Sequence, residues 1–202
     1  MSANIATEEP LSDEKMVLVL FGSPHENGHT AHLLNIFLEP FRKNHIEVHI
    51  VHAYDEDIAP CTACGYCKKQ VGCRYHDFDE IDSLLRRANI LVVATPMYNL
   101  SFPSPLKAIV DRTQCYYEAR FSLNIRPPIA KHKRAVLLAA AGSKDPDGVT
   151  IMEKQLKMIF SVMNTTLEHT VVWGKTDAMR KGEMEAVEEE TKRIALAMQS
   201  EL

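Results

Sequence analysis

Three short, uninterrupted apolar runs constrain this chain more than any other feature. They are residues 16–21 (Met-Val-Leu-Val-Leu-Phe), 90–94 (Ile-Leu-Val-Val-Ala) and 135–141 (Ala-Val-Leu-Leu-Ala-Ala-Ala). A strand with one wet face alternates polar and apolar residues. An unbroken apolar run of strand length must be covered on both faces, the condition of a parallel sheet flanked by helices. Gly22 ends the first run, Thr95-Pro96 the second and Gly142 the third.

Between the runs the period changes. Ala31, Leu33, Leu34, Ile36, Phe37, Leu38 and Phe41 recur near helical spacing and predict a helix over residues 29–43. Residues 46–51 alternate and predict a second strand. Residues 166–173 are rich in β-branched side chains and predict an edge strand. Further helices are expected to about Ala88, with Asp77 or Asp79 as cap, over 103–115, with Pro103 or Pro105 in the first turn, over 149–163 and over 179–198. Residues 54–74 show little periodicity. The order β-α-β-loop-α-β-α-β-α-β-α implies an α/β protein of flavodoxin-like three-layer fold, a five-stranded parallel doubly wound sheet. We expect one domain over residues 16–202 behind a flexible tail, residues 1–15, with no repeat or low-complexity segment.

The formal net charge of −4 argues against a nucleic-acid partner, which selects for a basic face. No apolar run has the length needed to span a bilayer, and the first ten residues lack the basic start and apolar stretch of a signal peptide. A cytoplasmic protein away from membranes is expected. No His-Glu-x-x-His pair and no Ser/His/Asp constellation is evident, so hydrolysis is unsupported.

In open α/β sheets, ligands sit beyond the carboxyl ends of the strands at the topological switch. The first strand leads into Gly22, Ser23, Pro24, His25, Glu26, Asn27, Gly28, His29 and Thr30 before a helix opens. Backbone N–H groups and the positive end of a helix dipole favour a phosphate there. Ser23 and Thr30 add hydroxyl donors. The spacing is neither Gly-x-Gly-x-x-Gly nor a P-loop, and an ordinary polar turn fits the residues about as well.

Four of five cysteines, Cys61, Cys64, Cys67 and Cys73, stand at C-x2-C-x2-C-x5-C spacing. Closely spaced thiolates can surround one soft metal centre, and Gly65 and Gly72 ease the turns between them. Zinc, a redox disulfide and simply packed thiols remain alternatives. Cys115, alone beside Tyr116, reads as a buried small thiol. Arg112 reads as a structural ion-pair partner.

The loop from Gly22 to Thr30 resembles the Gly-Ser-Pro-Arg-x-x-Gly-Asn-Thr loop of NAD(P)H-dependent FMN reductase-like flavoproteins, with His25 for Arg and His29 for Asn. Both substitutes keep donor capacity, with a weaker or pH-dependent hold on phosphate. Residues 95–112 resemble the family's Ser-Pro-x-Tyr loop followed by Leu-Lys-x-x-x-Asp-Arg. The resemblance covers residues 16–173. It implies FMN bound by Ser23, His25, Asn27, Gly28, His29 and Thr30 at the phosphate. Pro96, Met97, Tyr98 and Asn99 would lie along the flavin, and Ala141 and Gly142 beside its ring.

The cysteine block is similar to that of the iron–sulfur flavoprotein branch, where a [4Fe–4S] cluster lies near the FMN. Carried over, its ligands are Cys61, Cys64, Cys67 and Cys73. The resemblance thus implies an FMN-dependent oxidoreductase with NAD(P)H as donor and a quinone or free flavin as small-molecule acceptor. With a cluster, ferredoxin becomes the one-electron partner. A homodimer or homotetramer enclosing the ring is implied as well. The reading from another class is a non-enzymatic FMN or metal-binding carrier or sensor.

Overall fold

The computed structural model describes residues 15–142, 146–176, 178 and 180–202. Five parallel strands form one sheet: β1 (Met16–Phe21), β2 (Glu47–His52), β3 (Ile90–Pro96), β4 (Lys133–Ala140) and β5 (Thr165–Trp173). Their order is β2-β1-β3-β4-β5, the doubly wound order expected. The helices are α1 (His29–Lys43), α2 (Asp79–Arg87), α3 (Ser104–Arg112), α4 (Gln114–Phe121), α5 (Pro146–Phe160) and α6 (Lys181–Ser200). Residues 1–14 of the expected tail, Ser143 after β4 and Met179 before α6 lie outside the described residues.

The apolar runs behave as their composition demands. Alternate side chains of β1 enter opposite layers: Leu18 and Leu20 pack with Leu85 of α2, Leu106 of α3 and Leu156 of α5. Val17, Val19 and Phe21 pack with Phe37 of α1 and Ala195 of α6. Each fully buried aliphatic side chain contributes roughly 1.5–3 kcal/mol. A polar residue in the middle of such a run would face apolar neighbours whichever way the strand turned. The edge strands β2 and β5 are only partly buried, because each lacks a neighbouring strand on one side.

Two expectations need correction. The helix over residues 103–115 is two helices, α3 and α4, with Thr113 between them. The Thr113 hydroxyl donates to the Val110 carbonyl at 2.6 Å, and such side-chain bonds compete with the helical ladder. The break turns Cys115 and Tyr116 into the core. Nor do Asp77 and Asp79 cap α2. The residue at its cap is Phe78, without a side-chain cap bond. Asp79 opens the first turn, where acidic residues suit the helix dipole, and Asp77 is held elsewhere, as described below.

At the amino end of the sheet, Lys133 is fully buried. Its ammonium donates to the Met163 carbonyl at 2.9 Å and sits 3.4 Å from that of Lys131. Burial first, then the charges of Arg86 and Lys131, lower its pKa to about 7.

Candidate functional site

The chain leaves β1 for β2 on one side and then crosses to β3 on the other, so the order reverses between β1 and β3. The crevice at that switch is bounded by the segments following β1 and β3. These start from a fixed rim. Gly22 N–H donates to the Ala94 carbonyl at 2.8 Å, Met97 N–H to Ala140 at 2.8 Å, and Ala141 N–H to Trp173 at 2.9 Å. Gly22 is where the two loops touch: a Cβ there would lie 2.5 Å from Leu106 Cδ2 and 3.0 Å from Thr95 Oγ1. Only a residue without Cβ lets β1 turn away so close to α3.

The loop from Ser23 to Thr30 is shaped from within. Ser23, nearly buried, accepts the His25 N–H on its Oγ at 3.1 Å. Gly28 N–H closes a turn on the His25 carbonyl at 3.4 Å, and His32 N–H makes the first helical bond to the Gly28 carbonyl at 3.0 Å. Among the described residues the cap position of α1, Gly28, provides no side-chain cap bond. The N–H groups of His29, Thr30 and Ala31 are therefore outside the helical ladder and have no protein acceptor among the described residues. Thr30 is buried in that first turn, whereas His25, Asn27 and His29 are exposed.

The segment after β3 makes a tight reversal. Tyr98 and Ser101 exchange N–H···O bonds at 2.9 Å in both directions. Asn99 and Leu100 between them both have positive φ, 50° and 62°. Asn tolerates this conformation; for Leu it is strained, and such strain collects at functional sites. The turn holds Tyr98, 43% exposed, at the crevice. Tyr54, just after β2, has its pKa raised by burial and then by Tyr98, so these two phenols are neighbours. Behind the turn Met97 packs on Gly148 of α5, where a side chain would collide with its sulfur. Ala141 is buried and Gly142 exposed beside the end of β4.

Tyr54 and Trp173 escape sequence reasoning. Trp173, 2% exposed at the end of β5, packs its ring against those of His29 and His32 at 5.0 and 5.3 Å. It thereby supports the first turn of α1 from below. Its Nε1–H has no acceptor among the described residues. Only its contacts across the sheet, invisible in the local pattern, reveal the role.

The four clustered cysteines and Cys115 line one cavity of about 220 Å³. All five are thiols. Ala63, Gly65 and Gly72 have positive φ, 50°, 75° and 91°, and these turns wrap the segment around the cavity. Burial pushes the Cys115 thiol up to about 12, with Asp82, Cys73 and Cys67 adding to it, so Cys115 is a protonated thiol on the cavity wall.

No three His, Cys, Asp or Glu side chains among the described residues converge closely enough to hold one metal ion. The donor set around the cavity, four cysteines each able to hold one iron atom, is that of a [4Fe–4S] cluster. Arg112 lines the same cavity and is the ion-pair partner expected of it, its acid being Asp77, 2.5 Å between Nη2 and Oδ1. A second cavity, about 310 Å³, lies between α1 and β2 and is lined by Glu26, Asn35 and His52 among others. It shares only Glu26 with the loop after β1, on the far side of that loop from the switch crevice.

Among relatives, an iron-sulfur flavoprotein from Methanosarcina thermophila is 32% identical over 125 residues, 61% of this chain and 62% of that protein. An FMN-dependent NADH:quinone oxidoreductase from Cupriavidus necator is 32% identical over 82 residues, 39% of this chain and 40% of that protein. The chain thus spans about three fifths of the first relative's length and two fifths of the second's. Among solved structures, an NAD(P)H:quinone oxidoreductase from Methanothermobacter marburgensis superposes with a TM-score of 0.70 at 18% identity. That superposition covers 90% of this chain and 94% of the other and speaks for the fold. The model of the family described as NADPH-dependent FMN reductase matches residues 16–177. With that match spanning β1 to β5 and every loop of the switch crevice, the chain belongs to the NADPH-dependent FMN reductase family.

Proposed function

We propose that the protein is an FMN-dependent oxidoreductase that draws electrons from a reduced nicotinamide and passes them to a small acceptor such as a quinone or free flavin. The observation that carries this is the start of α1. Three backbone donors, those of His29, Thr30 and Ala31, stand outside the helical ladder at a topological switch with no side-chain cap among the described residues. A phosphate satisfies such donors, and the helix dipole favours its charge.

Ser23, His25, Asn27, Gly28, His29 and Thr30 are the proposed phosphate contacts. Pro96, Met97, Tyr98 and Asn99 are proposed for the polar edge of the flavin, and Ala141 and Gly142 for the side of the ring. Bound FMN supplies hydride and single-electron exchange. The chain's own residues bind and orient: the strained turn at Asn99-Leu100 fixes Tyr98 at the crevice. No side-chain acid or base is required. No helix among the described residues is long and apolar enough to cross a membrane. We place the protein in the cytoplasm as a homodimer or homotetramer, in which a second subunit covers the exposed faces of Tyr98 and Leu100.

One observation favours a second electron carrier beside the flavin. Cys61, Cys64, Cys67 and Cys73 share one cavity rather than scattering over the surface. Their proposed occupant is a [4Fe–4S] cluster, which makes a one-electron protein such as ferredoxin a partner.

The test is purification without oxygen, followed by absorbance and by flavin, iron and sulfide analysis. We expect a yellow protein releasing stoichiometric FMN, and steady NAD(P)H oxidation once a quinone is added. A colourless protein that takes up no added FMN overturns the reading. FMN binding without turnover of either nicotinamide would make it a carrier instead.

A further inference from the structure

Arg112 is the one charged side chain of the thiol cavity that is wholly buried, with 0% of its side chain exposed. Its guanidinium is held on every side but one. Nη1 donates to the Ala59 carbonyl at 2.8 Å and to Asp77 Oδ2 at 3.0 Å. Nη2 donates to the Tyr75 carbonyl at 2.9 Å and to Asp77 Oδ1 at 2.5 Å. The rings of Tyr75 and Phe78 each lie 5.5 Å from its centre. Ala59 stands just before the cysteine segment, and Tyr75 and Asp77 just after it. One side chain therefore fastens both ends of residues 61–73. Asp77 reinforces the closure by accepting the Ala59 N–H at 2.8 Å.

The remaining donor, Nε–H, is buried and has no acceptor at hydrogen-bond distance among the described residues. A guanidinium so fully engaged elsewhere rarely leaves a buried donor unsatisfied, since that costs about 1–3 kcal/mol. Cys73 lines the cavity with it. Burial opposes the Arg112 charge, yet its pKa is raised, by Asp77 first and then by Cys73.

We propose that Arg112 is the positioning residue of the thiol cavity: its Nη groups clasp the segment, and its Nε–H donates to the Cys73 sulfur when that sulfur ligates a [4Fe–4S] cluster. The inference rests on the cluster reading above. A hydrogen bond and a fixed positive charge beside a ligand sulfur stabilise the more negatively charged reduced state, so they raise the reduction potential. A clasp alone would hold the segment without moving the potential.

The experiment uses the full-length protein with FMN, reconstituted anaerobically with ferrous iron and sulfide, and follows the cluster by spectroelectrochemical titration. Arg112→Lys keeps a charge but loses the fork and Nε. We expect it to disfavour cluster reduction at least tenfold, a fall of 59 mV for one electron. Asp77→Asn leaves Nε in place and removes a negative charge, so it should lower the melting temperature without lowering the potential. A potential for Arg112→Lys within threefold of the parent equilibrium overturns the proposal.

If Arg112→Lys fails to fold or to load, Arg74→Lys protein labelled with 15N in arginine alone decides the matter, because Arg74 is the only other arginine lining the cavity. A 15N hyperfine coupling to the reduced cluster supports the proposal, and its absence overturns it. Wild-type protein that takes up no iron and sulfide overturns the cluster reading and this inference together. Normal loading with an unmoved potential overturns the inference alone.

Discussion

Gly22→Ala tests whether the loop after β1 and the segment after β3 are one packed unit. The added Cβ would meet Leu106 Cδ2 at 2.5 Å, Thr95 Oγ1 at 3.0 Å and Leu106 Cβ at 3.1 Å, where ordinary contact begins at 3.4 Å. The worst overlap is thus 0.9 Å, the difference between 3.4 and 2.5. Swinging the Leu106 methyl aside does not relieve it, because Leu106 Cβ and Thr95 also crowd the position. Both Leu106 and Thr95 are fully buried. Overpacking of this kind costs about 1–3 kcal/mol. For a domain of this size about 2 kcal/mol lowers the melting temperature by roughly 4–8 °C.

Circular dichroism melts of the FMN-free protein measure that loss, and fluorescence titration measures FMN affinity, which should weaken because the rim is displaced. In the double variant Gly22→Ala/Leu106→Ala the two losses should sum to less than the singles predict, since the second change removes the atoms struck by the first. A Gly22→Ala protein that melts within about 1 °C of the parent and binds FMN unchanged refutes the coupling. Strict additivity in the double variant would refute Leu106 as the obstacle.

Two further outcomes are expected. Thr30 lies in the first turn of α1, 3% exposed, and its hydroxyl has no side-chain hydrogen bond among the described residues. Thr30→Val should therefore raise the FMN dissociation constant about 3–10-fold, near 0.5–1.5 kcal/mol, and leave the FMN-free melt unchanged. The opposite pattern, a lower melt at equal affinity, would show that the hydroxyl serves the fold. Lys133 has a folded pKa of about 7, below its ordinary 10.5, so between those values the unfolded chain carries a proton that the folded chain lacks. Stability should accordingly rise with pH in that window. Relative to Lys133→Met, wild type should gain roughly 2 kcal/mol between about pH 7 and pH 9 in urea titrations. A difference independent of pH would mean that the amine stays charged when buried.

The central strands and both amphipathic layers were legible in the sequence, because burial on two faces leaves no room for polar residues in β1, β3 and β4. The loop from Ser23 to Thr30 was legible as a candidate because it joins the first strand to a helix start, where backbone N–H groups and the helix dipole favour an anion. What escaped depends on which partners the folded chain supplies, most of them distant in sequence. Asp77 reads locally as a helix cap and becomes the partner of Arg112 only when α3 is laid beside the cysteine segment. Thr113 reads as one more helical residue, and its break is visible only when its hydroxyl finds Val110. Trp173 and Tyr54 belong to a strand end and a loop whose local patterns carry no sign of the groups they meet. The cysteine spacing was plain. That the thiols surround one cavity with a single buried cation among them was not.

The hydrogen bonds that run one residue past the strand ends, Gly22 to Ala94, Ala53 to Phe21, Met97 to Ala140 and Ala141 to Trp173, have a thermodynamic consequence. They carry the rigidity of the sheet into the mouths of the loops, so much of the backbone a ligand would meet is already ordered before it arrives. Little conformational entropy is then left to surrender on association, and affinity should depend more on the contacts made than on loops being tamed. Such a rim also leaves a bound ring few alternative poses. A bound cofactor would thus keep one orientation toward successive donors and acceptors, and exchange of partners would not require the protein to rebuild its grip.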